Sequence, residues 1–341
     1  MTDLPDHIET PEQLDELLSR PDEASVEFLR LLDGDISVIG AGGKVGPTIC
    51  RFLRRVIEAA GVKKRVFAVD LQPMPALEAI GVETLACDLL DAQAVRRLPR
   101  TEHVVFMAGR KFGSVGAEHL TWGVNVIAAY HAAAHFTGSR IAVFSTGCVY
   151  PLAHVFSGGS VESDPPAPVG EYAMSCLGRE RIFERAAETS GARVVLLRLN
   201  YAAELRYGVL YDIACRVWNG EPVDVTTGFA NVVWQGDVAR YVLHSLRLAA
   251  RPAEVLNVTG PETFSVRQVA HRFGERMGRA PVFSGEENGR GYLSNAARCH
   301  ALFGYPSVPL ERMIEWTADW VRHGGPGLGK PTHFETQDGK Y

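Results

Sequence analysis

Hydrophobic and polar positions change period along this chain. Ile36-Ser37-Val38-Ile39 is an apolar run short enough for a buried strand. Val45, Ile49, Phe52, Leu53, Val56 and Ile57 follow at helical spacing, with Arg51, Arg54 and Arg55 on the opposite face. Further strand-like runs fall at 65–69, 82–86, 103–107, 141–145 and 194–199, separated by helical patterns. Strand, helix, strand at this rhythm predicts an α/β fold with a doubly wound parallel sheet. Upstream, Thr10-Pro11-Glu12-Gln13 reads as a capped helix start, with Leu14, Leu17 and Leu18 on one face, and a second short helix is expected over 23–32. Residues 1–33 are therefore expected as a packed helical extension and 34–200 as the main α/β domain. Beyond about residue 200, Gly, Pro and Asn interrupt the pattern. Residues 201–325 are expected as a smaller substrate lobe over the C-terminal edge of the sheet, and 326–341 as an extended tail.

The turn after the first strand is Gly40-Ala41-Gly42-Gly43-Lys44-Val45-Gly46. Glycines between a strand and a helix let backbone approach a pyrophosphate, which then sits on the helix N-terminus. The next strand ends in Asp70, where a carboxylate hydrogen-bonds a ribose diol and repels a 2′-phosphate, so the expected cofactor is NAD rather than NADP. Lys44 is the dissenting residue. It is read as meeting a phosphate, as a contact to the pyrophosphate, or as a solvated loop lysine. Asp88 follows the third strand, placed for the adenine edge, and Met107-Ala108-Gly109 closes the fourth with small residues beside the cofactor path. Val45, Leu71 and Leu89 complete the expected cofactor contacts. Together these features define a Rossmann-type domain.

The candidate chemistry lies at Tyr172 and at Thr146, which ends an apolar strand in Ser145-Thr146-Gly147-Cys148-Val149-Tyr150. A phenol and a hydroxyl suit proton transfer to or from a substrate hydroxyl. A free tyrosine has a pKa near ~10, and bringing it to neutrality takes about 3 units, or roughly 4 kcal/mol. A cation one turn later would help, but position 176 is cysteine. Cys176 is read as a small packed hydrophobe. Arg179, two turns after Tyr172, is read as a solvated helix arginine, and Trp122 and Trp234 as core or pocket walls.

These residues resemble the extended short-chain dehydrogenase/reductase family, the NAD-dependent sugar epimerases and dehydratases, over roughly Ile36 to Arg322. The glycine spacing is G-x-x-G-x-x-G at Gly40, Gly43 and Gly46, as in that family. Residues 164–172, Asp-Pro-Pro-Ala-Pro-Val-Gly-Glu-Tyr, resemble the loop before its catalytic tyrosine, and Val255-Leu256-Asn257-Val258-Thr259-Gly260 resembles its late strand in the second lobe. The resemblance implies Tyr172 as acid/base with Thr146 assisting, Lys111 as a pocket lysine, Asn200 near a bound sugar, and Asn125, Tyr172 and Cys176 beside the cofactor; Lys111 is read either as the displaced cation that activates Tyr172 or as a rim lysine. It also implies a homodimer. Two departures stand out. Cys176 replaces the family's lysine, and Ala230 stands seven residues before Asp237-Val238-Ala239, where an arginine often grips a nucleotide diphosphate. The expected substrate is therefore a sugar or sugar acid rather than a nucleotide-diphosphate sugar, with Arg290 or Arg206 as replacement anion contacts. The implied reaction is epimerisation, dehydration or dehydrogenation; the alternative is a non-catalytic NAD-binding sensor of the same fold.

Composition narrows the rest. A net charge of −5 without long runs of one sign provides no footprint for nucleic acid or an anionic membrane. The six cysteines lack C-x-x-C spacing and are expected as reduced thiols of a cytoplasmic protein. His131 and His135 share a helix face without a third ligand, so no metal site is expected.

Overall fold

The structure, a computed structural model, describes residues 4–340. Residues 1–3 and 341, the outer ends of the expected extension and tail, lie outside the described residues. The central sheet has seven parallel strands: β1 (Ile36–Ile39), β2 (Val66–Asp70), β3 (Glu83–Ala86), β4 (His103–Phe106), β5 (Arg140–Thr146), β6 (Arg193–Leu199) and β7 (Glu254–Val258). Their order is β7-β6-β5-β4-β1-β2-β3. The chain reverses direction across the sheet between β4 and β1, and that switch point opens a crevice at the strands' C-terminal ends. Strand β1 is buried along its whole length. One face packs on α3 (Gly46–Ala60), the other on α4 (Ala128–His135) and α5 (Gly170–Thr189). This is the doubly wound α/β architecture that the alternating pattern predicts.

Strand β7 departs from expectation. The run at 255–260 is expected in the smaller lobe, yet Glu254–Val258 pairs with β6 from Glu254↔Val195 to Val258↔Leu199. A parallel strand's partner is set by long-range pairing that a local apolar run does not reveal.

The extension forms α1 (Pro11–Leu18), with the predicted capping box at Thr10 and Gln13, and α2 (Glu23–Leu31). Arg55 of α3 donates to the Glu16 carbonyl at 2.8 Å and to Ser19 Oγ at 3.0 Å, tying the extension to the main domain. The second lobe is built on α6 (Val209–Asn219), α8 (Val266–Met277) and α9 (Leu310–Arg322), while α7 (Gln235–Ser245) packs on α3 in the main core. Trp234 is buried in the lobe core, 5.6 Å from Trp316. Trp122, expected as core or pocket wall, is 38 % exposed and donates to Glu171 Oε2 at 2.5 Å.

Residues 324–340 form neither helix nor strand, as the reading of a tail implies, but they are firmly seated. Phe334 is buried in the lobe core. Thr227 donates to the Glu335 carbonyl at 3.0 Å and Gln337 to the Thr226 carbonyl at 2.9 Å. The arm ends against the first turn of α5, where a Cβ added to Gly170 would lie 2.5 Å from the Gly339 carbonyl.

Candidate active site

The crevice begins at the glycine loop between β1 and α3. Gly40 has φ +88°, and a Cβ there would meet the Ala108 backbone at 2.5 Å. At Gly46 a Cβ would lie 2.2 Å from the Ala41 carbonyl oxygen. The absent side chains let the loop turn tightly and bring the N-terminus of α3, which has no side-chain cap, to the crevice. Asp70, at the end of β2, is held by the loop: its Oδ2 accepts from the Gly42 N–H at 2.9 Å and its Oδ1 from the Leu71 N–H at 2.8 Å. Asp88 turns back to accept from the Leu90 N–H at 2.9 Å, with Leu89 half-buried between them. Leu71 and Leu90 leave apolar surface exposed beside these carboxylates. The glycine cradle, the bare helix end and the fixed Asp70 fit a dinucleotide with an unmodified ribose diol.

Further along the crevice lies a cavity of about 410 Å³. It brings together Lys44, Val45, Met107, Gly109, Lys111, Thr146, Tyr172 and Asn200, all singled out by the sequence. Tyr172 stands in the first turn of α5 and shares a side-chain hydrogen bond with Thr146 at the end of β5. Burial raises the Tyr172 phenol well above its ordinary range; Arg179 and Thr146 pull the other way. Cys176 is buried beneath, its thiol pushed up to about 11 by burial, which makes it packing rather than a nucleophile.

Arg179 overturns its sequence reading. It is 4 % exposed, lines the cavity, and donates to the Phe144 carbonyl at 2.9 Å and to Asn125 Oδ1 at 2.8 Å. Helical side chains lean toward the N-terminus, so an arginine seven residues after Tyr172 reaches back toward the level of Cys176. Gly109 leaves it room, since a Cβ there would be 2.7 Å from Arg179 Nη2. Asn125 holds the guanidinium, donates from Nδ2 to Ser175 Oγ at 2.8 Å, and accepts the Arg110 N–H on Oδ1 at 2.8 Å. A buried cation thus stands close to where the sequence lacks one, one turn further along the same helix.

Lys111 Nζ donates to the Thr332 carbonyl at 3.0 Å and lies 5.8 Å from the centre of the Tyr172 ring; burial lowers its pKa. Asn200 spends its amide on Asn231 Oδ1 at 2.7 Å and on the Tyr292 carbonyl at 2.8 Å, so it braces the two lobes beside the cavity. Arg290 does not line the cavity; it is exposed on a two-residue strand paired with residues 153–154. Arg206 is likewise committed elsewhere, to Glu204 at 2.9 Å and Asp15 at 2.9 Å. Ala230 is fully buried.

Fold and crevice define a dinucleotide-binding α/β protein with a second lobe over the sheet's C-terminal edge. The sequence matches the NAD dependent epimerase/dehydratase family over residues 36–258, most of its length, and the chain belongs to that family. No curated protein matches it. Among solved structures it is similar to MoeE5 in complex with UDP-glucose and NAD, at 20% identity, covering 84% of this chain and 98% of that chain, TM-score 0.69. It is also similar to UDP-glucose 4-epimerase from Thermotoga maritima with UDP-glucose, at 20% identity, 84% and 98% coverage, TM-score 0.68. DesIV, a dTDP-glucose 4,6-dehydratase from Streptomyces venezuelae, matches at 18% identity, 85% and 97% coverage, TM-score 0.72. At such identities the likeness is one of fold. Among the described residues no helix is long and apolar enough to cross a membrane.

Proposed function

We propose that this protein is an NAD-dependent epimerase, dehydratase or dehydrogenase acting on a hydroxyl of a sugar or sugar acid, with Tyr172 as acid/base. The observation that carries the reading is the Tyr172–Thr146 hydrogen bond in a cavity continuous with the glycine loop. NAD, when bound, supplies the hydride acceptor. Tyr172 takes the substrate hydroxyl proton, Thr146 aligns that hydroxyl, and the cavity walls Met107, Phe112 and Tyr207 exclude water. Ala230, wholly buried without a cationic side chain, and the arm residues Lys330 and Thr332 over the cavity favour a substrate smaller than a nucleotide-diphosphate sugar. Incubating the protein with NAD and a panel of uronates, aldonates and neutral sugars tests the proposal. NAD-dependent conversion of one of them, seen by NMR of the products, is expected. Tight NAD binding with no conversion of any would favour the non-catalytic sensor.

In this reading Arg179 is the positioning cation that makes Tyr172 usable. Its charge lowers the Tyr172 phenol's pKa, against the effect of burial. Arg179→Met is therefore expected to move the Tyr172-controlled limb of the pH–rate profile to higher pH. Arg179→Lys retains part of the effect, as does Cys176→Lys added to Arg179→Met. An unmoved limb in Arg179→Met would remove Arg179 from the account.

A homodimer follows from the same reading. Leu120, Ile127, Tyr130 and Met174, on the segment 118–135 and on α5, leave apolar side chains exposed. Light scattering is expected to report twice the mass of the 37.2 kDa chain. Replacing Ile127 and Tyr130 with Glu is expected to yield monomers.

A further inference from the structure

Among the described residues the cavity is lined by four cationic side chains and no carboxylate. Arg179 has backbone and amide oxygens around it. The three lysines come from three separate segments: Lys44 from the glycine loop, Lys111 from the segment after β4, and Lys330 from the C-terminal arm. Lys44 Nζ is buried, and among the described residues no hydrogen-bond acceptor reaches it. It lies 3.6 Å from the centre of the Tyr207 ring and 4.2 Å from that of Phe112. Those contacts carry the ammonium toward the second lobe rather than along the loop backbone.

The arm is fixed where it supplies its lysine. Asp212 Oδ2 accepts the Thr332 N–H at 2.7 Å and its hydroxyl at 2.5 Å, while the Thr332 carbonyl accepts from Lys111. Asp212 is thus already engaged, and Glu335, which also acts on Lys111, pairs with Arg216 at 3.1 Å. Burying the Lys44 ammonium with no acceptor is costly, so the arrangement makes sense when an anion occupies the cavity.

We propose that Lys44, Lys111 and Lys330 form an oxyanion subsite, so that the substrate is a polyol or sugar bearing a carboxylate or a phosphate. This rests on the reading of the cavity as the substrate site. It adds a function for the C-terminal arm, which closes the cavity and completes its charge. The state of Lys44 in the empty protein agrees: burial first, then repulsion from Lys111 and Lys330, lowers its pKa to about 7, with Asp212 opposing. An arriving anion would restore its proton.

Calorimetric titration of the NAD-loaded protein tests this, with galacturonate, glucose 6-phosphate and galactose as probes. At least one anionic probe is expected to bind about 10-fold or more tightly than galactose, and which one does so separates carboxylate from phosphate. Near neutral pH its binding heat should depend on the buffer's ionisation enthalpy, reporting proton uptake. Lys44→Gln and Lys330→Gln are each expected to weaken that anion about 10-fold while changing NAD affinity less than about 2-fold. Equal binding of galactose and both anions would overturn the proposal. So would a loss of NAD affinity in Lys44→Gln as large as the loss of anion affinity, because Lys44 would then serve the cofactor's pyrophosphate. Anion binding without conversion would sink the catalytic reading and leave this subsite standing; conversion of neutral sugars alone would do the reverse.

Discussion

Tyr172→Phe is expected to lower kcat by about 10²–10⁴-fold and to leave NAD affinity essentially unchanged. The phenol oxygen is what the substitution removes, and it is the group hydrogen-bonded to Thr146 at the cavity floor. The ring remains to fill its site against Cys148 and Tyr201, so the fold should tolerate the change. The proposed cofactor contacts Gly40, Gly46 and Asp70 lie on other elements of the fold. The pH dependence has a definite sign. Burial raises the phenol's pKa, so oxidation of a substrate hydroxyl should speed up as pH rises toward that pKa. The mutant's residual rate should lack this limb. A variant that kept most of its turnover would show that another group moves the proton.

Arg198→Met is expected to cost about 3–5 kcal/mol of stability, because it leaves Glu180 buried and unpaired. Arg198 and Glu180 are 3 % and 0 % exposed and form a two-pronged pair, with Nε to Oε1 at 3.0 Å and Nη2 to Oε2 at 2.8 Å. Ser145 donates to the same carboxylate at 2.5 Å, and Arg198 Nη1 donates to the Tyr150 hydroxyl at 2.8 Å. Tyr150 donates in turn to Asn257 of β7 at 2.9 Å. The network therefore pins α5, which carries Tyr172 and Arg179, to β5, β6 and β7. Urea denaturation of the single mutant and of Arg198→Met with Glu180→Met separates the pair's net contribution from the penalty of an orphaned charge. The double mutant should recover part of the loss. A single mutant within about 1 kcal/mol of the parent would mean that water reaches Glu180.

What could be read from the sequence was what local backbone demands dictate. Gly40 and Gly46 must be glycine because Ala108 and Ala41 approach them, and such demands leave a fixed spacing. Asp70 follows from its place at a strand end, and the alternation of runs revealed six of the seven strands. What escaped depends on contacts between distant residues. Arg179 looked solvated because its partners, Asn125 and Phe144, lie 54 and 35 positions away. The arm's part in the cavity rests on Lys111 and Thr332, 221 positions apart. The place of Glu254–Val258 in the main sheet likewise depends on its pairing with β6. Arg290 is expected as an anion contact because it is cationic, whereas the cations that line the cavity are Lys44, Lys111, Arg179 and Lys330.

The central claim is that Tyr172 governs hydride transfer from a substrate hydroxyl in this cavity. Rapid mixing of the NAD-loaded protein with a substrate from the panel, followed by near-ultraviolet absorbance, tests it most directly. The account predicts a transient or lasting rise from reduced nicotinamide in the wild type and its loss in Tyr172→Phe at full NAD occupancy. Turnover with no reduced nicotinamide, or an undiminished rise in Tyr172→Phe, would contradict it.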